Sequence, residues 1–426
     1  MSVSELPAGE LCRLGFHFEL GVSMTKIDVG EVAEKLVHNF FDQHFSNVYS
    51  FRDPKTLNNA QVADVLVWLN RIVFLVEVKA RSEGSATIES WSRSRIEQAT
   101  SQIVNNYGRF QAKEQINIHN TFYNFPFLHE GINHYIGIII LVTDESISTK
   151  PSLVFPDVYE QVLPIHVFTW SQLEQLTREI DTTMDFFYYL ADRGRYLKVS
   201  DIPLDQEMNA LGYYKSRANK FPNTDLELTK TDYWIEYQDR MKDDIAVRDN
   251  HNKLSGWVDQ IESLFVGQRR LFDGIPLGMY YAWEFGAMSR RERAYRGEKL
   301  NTVQEWFDSG KSSRQFCWQN PSTGNWIVFY YSIDDSETIQ NRLARLIRLK
   351  LIKENYLRGF DLGVYGLAIQ VGAIHPRRIL GVVGAVMMGM DDEIRNSVES
   401  EIEEALSVWG RDEGRKSISI EEFPNQ

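Results

Sequence analysis

The chain has 426 residues, 43% of them hydrophobic and 25% charged, with 46 Lys and Arg against 59 Asp and Glu. That length and composition exclude a disordered polymer and predict two globular domains. The net charge of −13 argues against a basic nucleic-acid-binding module, and two cysteines exclude a disulfide scaffold or a cysteine-based zinc site.

The first residues, MSVSELPAGELCRLGF, lack the basic start and apolar run of a secretion signal. The most apolar stretch, Leu362 to Met390, is interrupted by Gln370 and by His375-Pro376-Arg377-Arg378, so a cytoplasmic protein with no membrane span is expected. In chain order, Asp28-Val29-Gly30-Glu31 reads as a capping box opening a helix with Val32, Leu36, Phe40 and Phe41 at helical spacing. Extended runs are predicted at Asn47 to Phe51, Gln61 to Leu69 and Ile72 to Ala80, the last two joined by the turn Asn70-Arg71. A helix from Ile88 to Phe110 leads to Tyr135 to Thr143, whose β-branched run predicts a strand buried on both faces. A short strand at Ile165 to Phe168 and one or two helices from Trp170 to Tyr196 close this unit. Between Val199 and Asn252 the chain turns polar, which predicts a junction. Beyond it, a hairpin at Gln315 to Ser332, a helix at Ile339 to Ile352, strands at Val364 to Val371 and Ile379 to Met388, and an acidic helix at Glu393 to Trp409 predict an α+β unit.

Three residues interrupt the apolar strands of the first unit. Asp64 lies within the second run, and Glu77 and Lys79 within the third. Alternation along a strand puts Glu77 and Lys79 on one face, and the hairpin sets Asp64 beside them. Two carboxylates and an ammonium at one place suit a hard divalent cation, Mg²⁺ or Mn²⁺, with a lysine to orient or deprotonate a water. The other acid-x-Lys tripeptide nearby, Asp53-Pro54-Lys55, lies in a proline-marked loop. The nine histidines form no metal-binding pattern: His38 and His44, and His129 and His134, lack the four-residue spacing that aligns two imidazoles on a helix. No Walker loop, dinucleotide fingerprint or serine elbow occurs.

These residues resemble the PD-(D/E)XK nuclease superfamily, which includes restriction endonucleases, Holliday-junction resolvases and Mrr-like enzymes. The resemblance covers roughly the first two hundred residues, with Ala63 standing where the name motif has proline. It implies an α/β fold, a restriction-endonuclease-like mixed sheet flanked by helices. It also implies Asp64 and Glu77 as metal ligands and Lys79 as the catalytic lysine. Gly30 followed by Glu34 is similar to the first helix of resolvase-like members, which makes Glu34 an auxiliary acid or, alternatively, part of a solvated helix face. Gln98 and Gln102, one turn apart on the second helix, are surface polar residues or auxiliary site residues. Arg81, Arg93 and Arg95 would flank the cleft.

The resulting expectation is a metal-dependent DNA endonuclease, with antiviral defence as its setting by analogy. The alternative is an inactive nuclease-fold scaffold subunit, and a homo-oligomer or a defence-complex partner is compatible with either. The expected organisation is a nuclease-like domain over 1–200, a linker over 201–252, and an α+β domain over 253–426 for target recognition, dimerisation or regulation. In that last part Arg290, Arg291, Arg293 and Arg296 cluster, and Arg342, Arg345, Arg348 and Lys353 line one side of a helix. These stripes either follow a phosphate backbone or balance acidic neighbours such as Glu399 to Glu404. Trp318, Trp326, Tyr330 and Tyr331 are expected in the core. Because the acidic excess is spread over both halves, DNA contact would rest on local basic clusters and a divalent ion.

Overall fold

The computed structural model describes residues 29–82, 87–145, 147, 153–154, 156–158, 161–197, 202–222, 231–265, 271–272, 275–298, 313–320, 323–332, 334–358, 364–371, 379–388 and 392–409. Asp28 of the expected capping box lies outside the described residues, as does Cys12. Helix α1, Val29–Phe41, buries Ala33, Val37, Phe40 and Phe41 along one stripe and continues into a π-helical turn, Asp42–Ser46. Strands β1 (Ser50–Arg52), β2 (Lys55–Thr56), β3 (Val65–Leu69) and β4 (Ile72–Ala80) follow. The β3–β4 hairpin turns at Asn70, whose φ of 52° is left-handed, a conformation that asparagine tolerates.

Helix α2 (Ile88–Gln111) starts at Thr87, whose side chain accepts from the Ser90 N–H. It carries the chain past β5 (Ile116–His119) and β6 (Asn124–Pro126) to β7 (His134–Val142), which runs parallel to β4. After β8 (Leu153–Val154) and the short pair β9 (Asp157–Val158) and β10 (Gln161–Val162), β11 (Ile165–Thr169) lies parallel to β7. The main sheet has the order β1-β3-β4-β7-β11-β8, while β2, β5 and β6 form a separate small sheet. Thr169 and Gln172 make a full capping box on α3 (Trp170–Glu179), and α4 (Thr183–Leu197) follows. This is a mixed α/β sheet flanked by helices, the expected class.

The expected boundaries do not hold. Residues 201–252 are not a linker: they contain α5 (Glu207–Ser216) and most of α6 (Tyr233–Phe265). The buried core that starts at Ala33 runs without a break through Leu204, Leu211, Tyr214 and Phe221 to Met279 and Trp283. The polar residues that read as a junction are partly internal, because Glu207 is fully buried against a basic partner. The second half continues with β12 (Leu271–Phe272), β13 (Ile275–Pro276) and α7 (Leu277–Gly286), and a further helical stretch begins at 290. Then come β14 (Ser313–Gln319), β15 (Trp326–Ser332), α8 (Ser336–Arg358), β16 (Val364–Val371), β17 (Ile379–Met388) and α9 (Asp392–Trp409).

The strands β14-β15-β16-β17 form one sheet in that order. A second core joins Trp326, Val328 and Tyr330 of β15 to Leu343, Ile347 and Ile352 of α8 and to Trp409. Its topology repeats that of the first half: an antiparallel hairpin, a long helix, then a strand parallel to the hairpin's second strand. Trp318, Trp326, Tyr330 and Tyr331 are buried, as expected.

The two halves meet on an aromatic seam. Trp283 of α7 lies 4.7 Å from Trp68 between ring centroids and donates its indole N–H to the Trp68 carbonyl at 2.8 Å. Gly286 permits this approach, since a Cβ there would come within 2.7 Å of Leu69 Cδ1 and 2.9 Å of Tyr49 Oη. Among the described residues no helix is long and apolar enough to cross a membrane.

Candidate active site

Asp64 sits one residue before β3 begins, not inside the strand as expected from Gln61 onward. Its backbone N–H still pairs with the Val76 carbonyl at 3.0 Å. Its carboxylate then takes the next position in the ladder, with Oδ2 accepting the Val78 N–H at 2.6 Å. That contact fixes the side chain against β4, where Glu77 and Lys79 project from the same face. Lys79 Nζ lies 3.0 Å from Glu77 Oε2 and 4.0 Å from Asp64 Oδ2. The three residues therefore converge as the hairpin argument expected.

The cluster is almost dry: Asp64 is 7% and Glu77 3% exposed. Burial raises the Asp64 carboxyl above the usual range, opposed mainly by the Val78 N–H and then by Lys79. Burial and then the neighbouring Asp64 push Glu77 up to about 7, against the attraction of Lys79. Glu34 on α1 is half-buried, whereas Glu31 is exposed. Burial and then Asp64 raise the Glu34 carboxyl, while Arg52 and Lys79 oppose the shift.

Two further residues were not singled out from the sequence. Gln61 donates from Nε2 to Asp64 Oδ1 at 3.0 Å, so the amide and the Val78 N–H each hold one oxygen of the same carboxylate. Asp53, set aside as part of a loop, has its N–H on the Asp64 carbonyl at 3.1 Å and its side chain on Lys55 at 2.7 Å. Its charge also acts on Asp64 and Glu34. Gln98 and Gln102 lie on the exposed side of α2, and Gln98 accepts from Arg95 at 2.6 Å. Neither glutamine is hydrogen-bonded to the carboxylates. Arg81 pairs with Glu145, while Arg93 and Arg95 are exposed.

The two readings of the basic stripes separate clearly. Arg345 pairs with Glu401 and Glu404, and Arg348 with Glu393 and Glu401, so much of the positive face of α8 is consumed by α9. Lys353 is buried and donates to the Trp409 carbonyl at 3.1 Å. Arg290 pairs with Asp181, and Arg293 with Asp259 and Glu262. Acidic neighbours of the same chain account for Arg290, Arg293, Arg345 and Arg348, while Arg296 donates to the Gln319 carbonyl at 3.1 Å.

Among the described residues, no group of three or more His, Cys, Asp and Glu side chains is arranged to hold a metal ion. What the site offers is a pair of buried carboxylates whose negative charge only one close ammonium offsets. That hard-oxygen donor set fits a cation such as Mg²⁺, which keeps several waters and binds through one or two carboxylates plus phosphate oxygens.

The Glu77 shift has a consequence for stability without metal. A carboxyl whose folded pKa of about 7 exceeds its unfolded value binds more protons folded than unfolded between the two. Its contribution therefore falls as pH rises through that window. In EDTA, the unfolding free energy of the wild type is expected to decline from pH 5 to pH 8 more steeply than that of Glu77→Gln. Identical urea-unfolding profiles for the two would remove Glu77 as the titrating group.

No family model, no curated protein and no solved structure matches this chain.

Proposed function

We propose that the chain is a metal-dependent nuclease that hydrolyses phosphodiester bonds in DNA. The observation that carries this reading is the meeting of buried Asp64 and Glu77 with Lys79 at the end of a β-hairpin. The resemblance to PD-(D/E)XK nucleases points the same way, and defence against foreign DNA is the biological setting that it suggests. Asp64 and Glu77 are the residues that would hold Mg²⁺ or Mn²⁺. The bound cation supplies Lewis-acid stabilisation of charge on the phosphate and lowers the pKa of a water. Lys79 orients the attacking water and offsets charge that develops on the phosphate. Gln61 and the Val78 N–H keep the Asp64 carboxylate in one orientation.

The test is to incubate the purified chain with supercoiled, linear duplex and single-stranded DNA, and with RNA, in Mg²⁺, Mn²⁺ or EDTA. Cleavage of DNA in either metal, none in EDTA, and a loss of at least about 10²-fold in Asp64→Asn are expected. Undiminished cleavage by that variant would sink the assignment.

A second reading, a scaffold subunit without catalysis, is favoured by the internal use of the arginines. It predicts no thermal stabilisation by Mg²⁺ or Mn²⁺, whereas a functioning site is stabilised by its cation through linkage.

A further inference from the structure

In a chain of net charge −13, the place of a cation without a partner is informative. Arg293, Arg345 and Arg348 are engaged by acids of the same chain. Arg52, the last residue of β1, is not: it is half-buried, and among the described residues its guanidinium makes no hydrogen bond or ion pair. It stands opposite Val65 in the β1–β3 register, one residue beyond Asp64. It is also close enough to α1 for its charge to act on His38 and on Glu34, a carboxyl on which Asp64 acts as well.

A second such cation lies on the other side of the sheet. Because β4 and β7 are parallel, α2 between them runs back along the sheet and starts at the end of β4 that carries Glu77 and Lys79. It packs on the face from which those side chains project: a Cβ on Gly137, the register partner of Leu75, would come within 3.0 Å of Ile103 Cγ2. Arg93, on the second turn of α2, is exposed and has no ion pair among the described residues. Arg52 belongs to the opposite face, since Arg52, Val65 and Val76 are in register and Val76 alternates with Glu77. The acidic centre is thus bracketed by two uncommitted guanidinium groups, one from each face.

The carboxylates at the centre repel a polyanion, and a divalent ion offsets that repulsion only locally. A guanidinium offers phosphate a planar fork of N–H donors, and such contacts fix the register of a nucleic acid without reading its sequence. On the nuclease reading above, we propose that Arg52 and Arg93 hold backbone phosphates on either side of the scissile one. The site is then built for a polynucleotide rather than a lone phosphodiester, and Arg52 is a residue that positions it.

Fluorescence anisotropy of the full chain on a labelled DNA duplex, with Ca²⁺ in place of Mg²⁺ and salt varied from about 50 to 200 mM, tests this. Arg52→Ala is expected to weaken binding about 10-fold. It should also reduce the slope of log affinity against log salt by about 1, the signature of one lost phosphate contact. Adding Arg93→Ala should reduce the slope by about 1 again. Arg52→Lys keeps the charge and should keep the slope. Arg71→Ala removes the same charge from the exposed turn at the other end of the hairpin and should leave affinity and slope at their wild-type values. A merely structural role for Arg52 would lower Tm without moving the slope. An Arg52→Ala slope equal to that of Arg71→Ala, or no binding of the duplex by the wild type, would overturn the inference. In the first case, Mg²⁺-dependent cleavage that persists in Arg52→Ala and is lost in Asp64→Asn would leave the nuclease reading standing.

Discussion

Lys79→Ala is expected to lower metal-dependent cleavage by about 10²–10⁴-fold, the range for loss of a positioned proton-transfer or charge-stabilising group. Two effects act together. The ammonium that orients water is gone, and Glu77 loses the cation at 3.0 Å that partly offsets its burial. The Glu77 carboxyl then titrates still higher, so residual activity should rise with pH and with Mg²⁺ concentration more steeply than in the wild type. Lys79→Arg should not restore the rate, because a planar guanidinium cannot occupy the same point between the two carboxylates. Single-turnover rates across pH 6 to 9 check this, and a rate within tenfold of wild type would remove Lys79 from the chemistry.

The second large effect concerns the fold itself. Arg193 and Glu207 are both 0% exposed, with Nη2 of the arginine 2.7 Å from Oε2 of the glutamate. Tyr189 Oη donates to Glu207 Oε1 at 2.5 Å, and Arg193 Nη1 lies 2.9 Å from His166 Nδ1. The guanidinium must donate, so Nδ1 accepts, and burial together with Arg193 holds the imidazole well below its usual pKa. Glu207→Ala leaves a buried guanidinium without its carboxylate and is expected to cost about 3–5 kcal/mol. Removing both charges in Arg193→Met/Glu207→Met should cost less than the single change. Urea unfolding of the two variants side by side checks the ordering, and a single variant more stable than the double would contradict it.

The catalytic candidates were legible because strands expose anomalies. A carboxylate or an ammonium inside an apolar run stands out by residue type, and the two-residue turn at Asn70-Arg71 fixes which of them meet. Gln61 was not legible, because its role depends on the chain leaving the ladder just before β3, which no alternation pattern marks. Strands β2, β5 and β6 are two to four residues long and are held by pairing with one another, too short to show a strand period in sequence. The supposed junction failed for a different reason. Glu207 and Lys215 are polar by type yet buried, and a one-dimensional reading weighs them as solvent-facing because it cannot see partners. The arginine stripes on α8 were ambiguous on the same ground, and the acidic helix α9 resolved them.

The aromatic seam bears on how the protein can be handled. A chain cut near residue 200 would lose Met279, Ala282 and Trp283 from a core to which Trp68 and Leu69 also belong. It would also lose the indole hydrogen bond to the Trp68 carbonyl. The severed surface would present a broad oily face beside the hairpin that carries Glu77 and Lys79, inviting self-association before any substrate could be tried. A soluble fragment would therefore have to end beyond Gly286, with the whole of α7 attached.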